Sequence, residues 1–199
     1  MRHAFAKLDA QLAAHVCADE KEARDVAFVR GFIAAHPLDA HLRSQLLGQL
    51  LGHLTGSGFV LDSTRRCVLL LHHGRLNRWL QPGGHGEGET DPRLIALREI
   101  EEETGLTGLA ALPDQRLLDV DVHLIPARPG EPEHAHLDLR YGFLSVPAAR
   151  PRLSNESREL RWFPLDALPE DADSSLRRAV AKLTTRPFKS SAQRRPRRQ

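Results

Sequence analysis

The chain has 199 residues, 41% hydrophobic and 27% charged, the size and composition of one globular domain with sequence to spare, which excludes a wholly disordered chain. Its net charge of +2 averages unlike parts: residues 186–199 hold six of the 28 Lys and Arg and no acid, so residues 1–185 carry 22 bases against 26 acids, about −4. The basic pI of about 8.8 belongs to the tail, and charge alone does not make the body a nucleic-acid binder.

Two cysteines, Cys17 and Cys67, are too few for a disulfide framework or a cysteine zinc site. The longest apolar run, Cys67 to Leu71, is too short to cross a bilayer, and the first residues contain no uninterrupted apolar core of signal-peptide length. The expectation is a reduced, cytoplasmic protein without a membrane partner.

In chain order, residues 1–54 read as helical, with Ala and Leu frequent and charges spaced as on a solvated face. Asp19 and Glu22 have the spacing of a capping box, and His36-Pro37 marks a stop. Packing on the domain or a homodimer contact is the plain reading of this extension, and a site is the alternative. After Gly56 and Gly58, strands are expected around Val60 and Val68. Residues 81–90, QPGGHGEGET, form a glycine-rich loop. Asp91 as N-cap, Pro92 in the first turn and Gly105 as the stop then predict a helix over 92–104.

Two later stretches alternate. Asp119, Asp121 and His123 share one strand face; His134, His136, Asp138 and Arg140 share another; the Pro- and Gly-rich IPARPGEPE between them predicts a hairpin. YGFLSV continues the second strand, and ELRWFPLDAL reads as a strand followed by a helix. The tail, 186–199, is too polar to order itself.

The 92–104 helix carries the chemistry. At 100° per residue, Glu99, Glu102 and Glu103 fall within an arc of about 100°, opposite a mainly apolar side of Arg93, Ala96, Leu97, Ile100 and Thr104. Like charges at helical contact spacing cost roughly 0.2–0.5 kcal/mol each. Carboxylates in the last turn oppose the helix dipole by about 0.3–1 kcal/mol each. The total, on the order of 1–3 kcal/mol, is a noticeable part of a domain's stability. A divalent cation would convert that penalty into a ligand set. A solvated acidic face is the plain alternative.

REIEEETGL, Arg98 to Leu106, preceded at the required distance by Gly84, resembles the signature of the bacterial-type Nudix hydrolases, G-x5-E-x7-R-E-U-x-E-E-x-G-U with U apolar. The resemblance implies an α/β fold, a Nudix-type α/β/α sandwich with a mixed β-sheet. It divides the chain into a helical extension packed on the domain (1–54), the hydrolase domain (55–185) and a disordered basic tail (186–199). The signature's first Glu falls on Thr90; Glu89 stands beside it and is expected to take over its pairing with Arg98.

By that resemblance the chain is a metal-dependent hydrolase cleaving the diphosphate linkage of a nucleoside diphosphate joined to another moiety, by attack of a metal-activated water. Mg2+ or Mn2+ would be held by Glu99, Glu102, Glu103 and the carbonyl of Gly83, with Arg98, Glu89, Gly84 and Gly105 in structural roles. The general base comes from the motif helix or a later loop, where Glu156 is the candidate. His123, His136 and Arg140 are candidates for a substrate-pocket wall. Trp79 and Trp162 could stack on a base, although a packing role is the plainer reading.

Three rivals remain in view. A non-catalytic nucleotide-binding or regulatory module of the same fold would ordinarily lose metal-ligand glutamates, and all three are present. An isoprenoid diphosphate isomerase would need a catalytic Cys, but Cys67 sits in an expected core strand and Cys17 in the extension. A dedicated nucleic-acid binder is disfavoured by 5% aromatic residues and an acidic body. None of the downstream signatures for ADP-ribose, dinucleoside polyphosphates, NADH or coenzyme A is present, so the partner is a small diphosphate of unassigned identity.

Overall fold

A computed structural model describes residues 4–42, 52–112, 116–154 and 157–185. Glu156 and the basic tail lie outside the described residues, as do residues 43–51.

Two helices come first, α1 (Ala6–Ala13) and α2 (Glu20–Ala35). Asp19 caps α2 by accepting from the Glu22 N–H at 2.8 Å, and the helix stops at His36, as the capping signals predict. The helical reading of 1–54 overruns at its end, because strand β1 (Gly52–Leu61) already includes residues 52–54. In that strand His53, Thr55 and Ser57 alternate with Leu54, Gly56 and Gly58, a period of two.

The other strands are β2 (Cys67–His73), β3 (Arg78–Leu80), β4 (Gly83–His85), β5 (Ala110–Ala111), β6 (Leu117–Ile125), β7 (His134–Leu144) and β8 (Ser157–Pro164). Helix α3 (Pro92–Thr104) separates β4 from β5, and α4 (Ser174–Thr185) closes the described chain. The strands form one mixed sheet with β1 at its centre. β1 runs parallel to β7, in register from Gly52↔Ala135 to Leu61↔Leu144. Its other edge is shared: β4 pairs antiparallel with the first half (Thr55↔His85), β2 with the last residues (Val60↔Leu69). A strand whose partners change along its length forces the sheet to curl and splay. The expected hairpin is β6–β7, with His123↔His136 and Asp121↔Asp138 paired across it.

α3 lies across β1 because β1 offers no side chains there. A Cβ on Gly56 would stand 2.2 Å from the Pro92 carbonyl oxygen, and one on Gly58 would stand 2.4 Å from Ile100 Cδ1. Ile95, Ala96 and Ile100 are fully buried in the resulting contact, roughly 1.5–3 kcal/mol for each isoleucine. The same core takes in Phe5, Leu8 and Leu12 of the first helix region and Val26, Val29 and Ile33 of α2. On the opposite side, Leu176, Ala179, Val180 and Leu183 of α4, at helical spacing, pack with Phe59, Leu61, Val68, Leu70 and Phe163. The sheet therefore lies between helices on both faces. α4 starts later than the sequence reading placed it. Residues 165–168 form a turn, and Asp173, accepting from the Leu176 N–H at 2.9 Å, starts the helix.

β6 has no strand on its outer edge among the described residues; side chains satisfy that edge instead. From α2, Glu22 accepts from the Val120 N–H (3.2 Å) and Asp25 from the Val122 N–H (3.1 Å). From α4, Lys182 donates to the Leu118 carbonyl (3.1 Å) and Arg178 to the Val120 carbonyl (2.9 Å). Among the described residues, no helix is long and apolar enough to cross a membrane.

Candidate active site

The helix carrying the glutamates is positioned by its own caps. Asp91 accepts from the Arg93 N–H at 3.0 Å, Pro92 occupies the first turn, and Gly105 ends the helix at φ 65°, in the left-handed region. With Ile95, Ala96 and Ile100 against the sheet, the glutamate face turns toward β4.

There the carboxylates meet backbone that only glycine permits. Glu103 Oε2 accepts from the Gly83 N–H at 3.0 Å. Glu99 lies so close to Gly84 that a Cβ on that residue would be 2.5 Å from its Cδ and Oε1. Arg98 straddles the set, donating to Glu99 Oε1 (2.8 Å) and Glu102 (3.0 and 3.1 Å), and to the carbonyl of His85. Access is graded: the Glu99 side chain is 13% exposed, that of Glu102 54%. Burial pushes the Glu99 carboxyl up; Arg98 pulls it down and the Glu102 charge pushes it up again, leaving it at about 7. A carboxylate so reluctant to ionise beside two others is a place where positive charge is wanted.

Glu89 does not reach Arg98. Its Oε1 accepts from the N–H groups of Thr90 and Asp91 (2.7 and 2.8 Å), tying the loop to the helix entry. Glu87 faces Arg98 instead, at 3.4 Å. Thr90 is therefore bypassed by a glutamate three positions earlier, on a residue with φ 49°.

The two alternating faces form one belt on the side of the sheet opposite α3. Arg140, expected on a substrate-pocket wall, is instead buried at 3% exposure among Asp138 (2.8 Å), Asp119 (3.3 Å) and Asp121 (3.4 Å). Arg178 of α4 adds a two-point pair with Asp119 (2.8 Å to each oxygen), and Asp138 also accepts from Ser57 at 2.7 and 2.8 Å. A guanidinium enclosed by three carboxylates locks β6 and β7 together. His123 sits at the open end of this belt, its Nδ1 3.1 Å from Asp121 and its side chain 43% exposed. His136 is turned inward; burial, then the nearby imidazoles of His53 and His85, push it down to about 2, so it is neutral. Trp79 is taken up by packing, edge-on to Phe163 (4.8 Å between ring centroids) and to His72 (5.1 Å), and Trp162 packs against the main core.

Sequence reasoning missed His53, His85 and Glu87 in this region, and Arg178 and Lys182 on α4. The signal for His53 was present as the odd-numbered alternation His53, Thr55, Ser57, split by the boundary drawn at residue 54 between a helical segment and a loop.

A curled mixed sheet between helices, with a glutamate helix face laid on a glycine strand, is an α/β/α architecture of the Nudix kind. The chain belongs to the NUDIX domain family, whose model matches residues 53–183. Among solved structures it is similar to a NUDIX-family hydrolase from Clostridium perfringens (26% identity over 66% of this chain and 96% of that one, TM-score 0.48). It is also similar to an Ap4A hydrolase from C. elegans (18% identity, 66% and 94% covered, TM-score 0.51). A third is the MutT NUDIX hydrolase from Burkholderia pseudomallei (24% identity, 66% and 97% covered, TM-score 0.46).

Proposed function

We propose that the chain hydrolyses the diphosphate linkage of a nucleoside diphosphate joined to a second moiety, in the cytoplasm, with Mg2+ or Mn2+ held by Glu99, Glu102, Glu103 and the carbonyl of Gly83. The observation that carries this reading is the convergence of two helix carboxylates on β4, Glu103 anchored on the Gly83 N–H and Glu99 where a Cβ on Gly84 would stand, with Glu102 joined to Glu99 through Arg98. An all-oxygen donor set with a partly exposed member suits a hard cation that keeps some of its waters. Held by Glu99, Glu102, Glu103 and the Gly83 carbonyl, such an ion would supply positive charge to a diphosphate and would lower the pKa of a water.

The chain's own residues then have separable tasks. Glu99 supplies a buried, fixed oxygen; Glu102, the most exposed of the pair that Arg98 bridges, can shift between guanidinium and ligand. Arg98 is a positioning residue that holds Glu99 and Glu102 by donating to both. Gly83 and Gly84 keep the backbone bare where a diphosphate would approach. His123 is the belt residue exposed enough to meet a substrate, and Glu156 is the loop candidate for taking the proton from water. Helices α1 and α2 belong to the same reading as a support that shares the domain's core.

A panel of nucleoside diphosphate derivatives assayed with Mg2+ and with Mn2+ tests this reading, with chelator as the blank. At least one should be cleaved at the phosphoanhydride, and Glu102→Gln and Glu103→Gln should each lose well over the roughly 10–100-fold typical of outer-shell changes. Near-normal turnover in both variants would remove the glutamates from the chemistry. Tight nucleotide binding without cleavage by the wild type would replace hydrolysis with a binding function.

A further inference from the structure

On the side of the sheet opposite α3, and sharing only strand β4 with the glutamate face, stands a cluster of imidazoles. His53 on β1 pairs in register with His136 on β7, while Thr55, two residues along β1, pairs with His85 on β4. Three strands thus bring His53, His85 and His136 to one face of the sheet. One nitrogen from each lies within 4.8 Å of the others. The ring centroids are 4.9 Å apart for His53–His136, 5.0 Å for His85–His136 and 5.1 Å for His53–His85.

We infer that His53, His85 and His136 form a binding site for a borderline transition-metal ion, Zn2+ in the first instance, separate from the carboxylate site. Imidazole nitrogens 2.0–2.1 Å from a tetrahedral Zn2+ are about 3.4 Å from each other. The His85 Nε2 to His136 Nε2 distance is 3.3 Å, already one edge of that tetrahedron. His53 needs only a small side-chain movement to complete a face. Three nitrogen donors suit Zn2+ and its neighbours, whereas Mg2+ and Mn2+ suit the oxygens across the strand, so the two sites select different ions by donor type. Three ligands leave the fourth position for a water or an oxygen of a substrate.

Two further imidazoles border the three. His134, its ring 5.2 Å from those of both His53 and His136, has its Nδ1 2.9 Å from the Pro132 carbonyl, which fixes the ring. His123 stands 5.5 Å from His136 with its own Nδ1 3.1 Å from Asp121. Burying polar rings in mutual contact carries a desolvation cost that apolar side chains of equal volume would avoid. A bound ion gives that arrangement a return. The site also has a mechanical link to its neighbour: His85 supplies the ring to this cluster and its carbonyl to Arg98, which holds Glu99 and Glu102.

The test uses the untagged full-length chain, stripped with chelator and dialysed against Zn2+ in excess Mg2+, which keeps the oxygen site occupied. The wild type should take up one Zn2+ per chain, and Co2+ in its place should give the intense visible bands of a tetrahedral nitrogen site. His85→Asn and His136→Asn should weaken uptake by at least roughly 100-fold, more than outer-shell changes do, while Glu102→Gln and Cys17→Ser leave it unchanged. His85 lies on a three-residue strand, so its variant reports even where His136→Asn perturbs folding. Failure of the folded wild type to bind Zn2+ at micromolar concentration would overturn the site. So would unchanged uptake in the folded His85 variant, or loss of uptake in Cys17→Ser.

Discussion

Glu87 Oε2 stands 3.4 Å from Arg98 Nη1, three positions ahead of Thr90, where the family signature has its first glutamate. The pair is exposed on the Glu87 side, so its direct worth is below about 1 kcal/mol. Its consequence is positional, since Arg98 also holds Glu99 and Glu102. Glu87→Gln should lower kcat a few-fold while leaving the thermal midpoint nearly unchanged. Thr90→Glu, introduced into the Glu87→Gln chain, should restore part of the loss. Equal kinetics for Glu87→Gln and wild type would show that Arg98 needs no such partner.

Two glycines should fail in different ways. At Gly84 the atoms that a Cβ would meet, at 2.5 Å, belong to the Glu99 carboxylate, the far end of a side chain that can move. Gly84→Ala should fold and melt close to wild type yet lose activity by about 100-fold or more, because it displaces Glu99. At Gly56 the obstacle is the Pro92 carbonyl oxygen, 2.2 Å away and part of a helix backbone. Gly56→Ala should therefore lose about 1–3 kcal/mol of stability by overpacking, read in urea unfolding. Reversed outcomes would mean that α3, rather than Glu99, yields to new volume at β4.

Glu22 is fully buried between α2, α4 and the edge of β6. Burial alone would raise its pKa; hydrogen bonds from His15 and Lys182 and from the Ala18 N–H outweigh that and hold the carboxylate well below its ordinary value of about 4.5. A depressed folded-state pKa stabilises the fold fully above the unfolded value. That contribution is lost as pH falls from about 4.5 toward the folded-state pKa. Glu22→Gln should thus be markedly less stable than wild type at pH 7, and the gap should narrow in urea titrations below pH 4.5. Lys182→Met, which strands a buried charge, should cost about 3–5 kcal/mol at pH 7. A gap that stayed constant from pH 7 to pH 3 would show that the carboxylate's charge is not what matters.

What was legible in the sequence was local. The α3 boundaries follow from Asp91, Pro92 and Gly105, each acting on its immediate neighbours, and the β6–β7 hairpin follows from alternation on either side of a Pro- and Gly-rich turn. The glutamate cluster was readable for the same reason, because one helix carries all of it. What stayed hidden depends on residues far apart in the chain. Arg140 looked like a pocket residue until Asp119, from the facing strand, and Arg178, from α4, enclosed it with the other aspartates. The imidazoles of His53, His85 and His136 come from three strands that only the sheet order brings together. Helix α4 begins after the Leu165–Leu168 turn, where Asp173 accepts from the Leu176 N–H.

The parallel ladder of β1 with β7 sets a timetable for the ribosome. β1, buried along its whole length, has its longest partner more than seventy residues later in the chain, with β2, β3, β4 and α3 all emerging first. Until Leu144 leaves the exit tunnel, the ladder is incomplete and LTGSGFVL keeps a bare edge capable of pairing with another nascent chain. The early hairpin contacts with β2 and β4 shelter only the opposite side. High-level synthesis should therefore deposit misassembled chains arrested before the second half, a hazard that slower translation or a holding chaperone relieves.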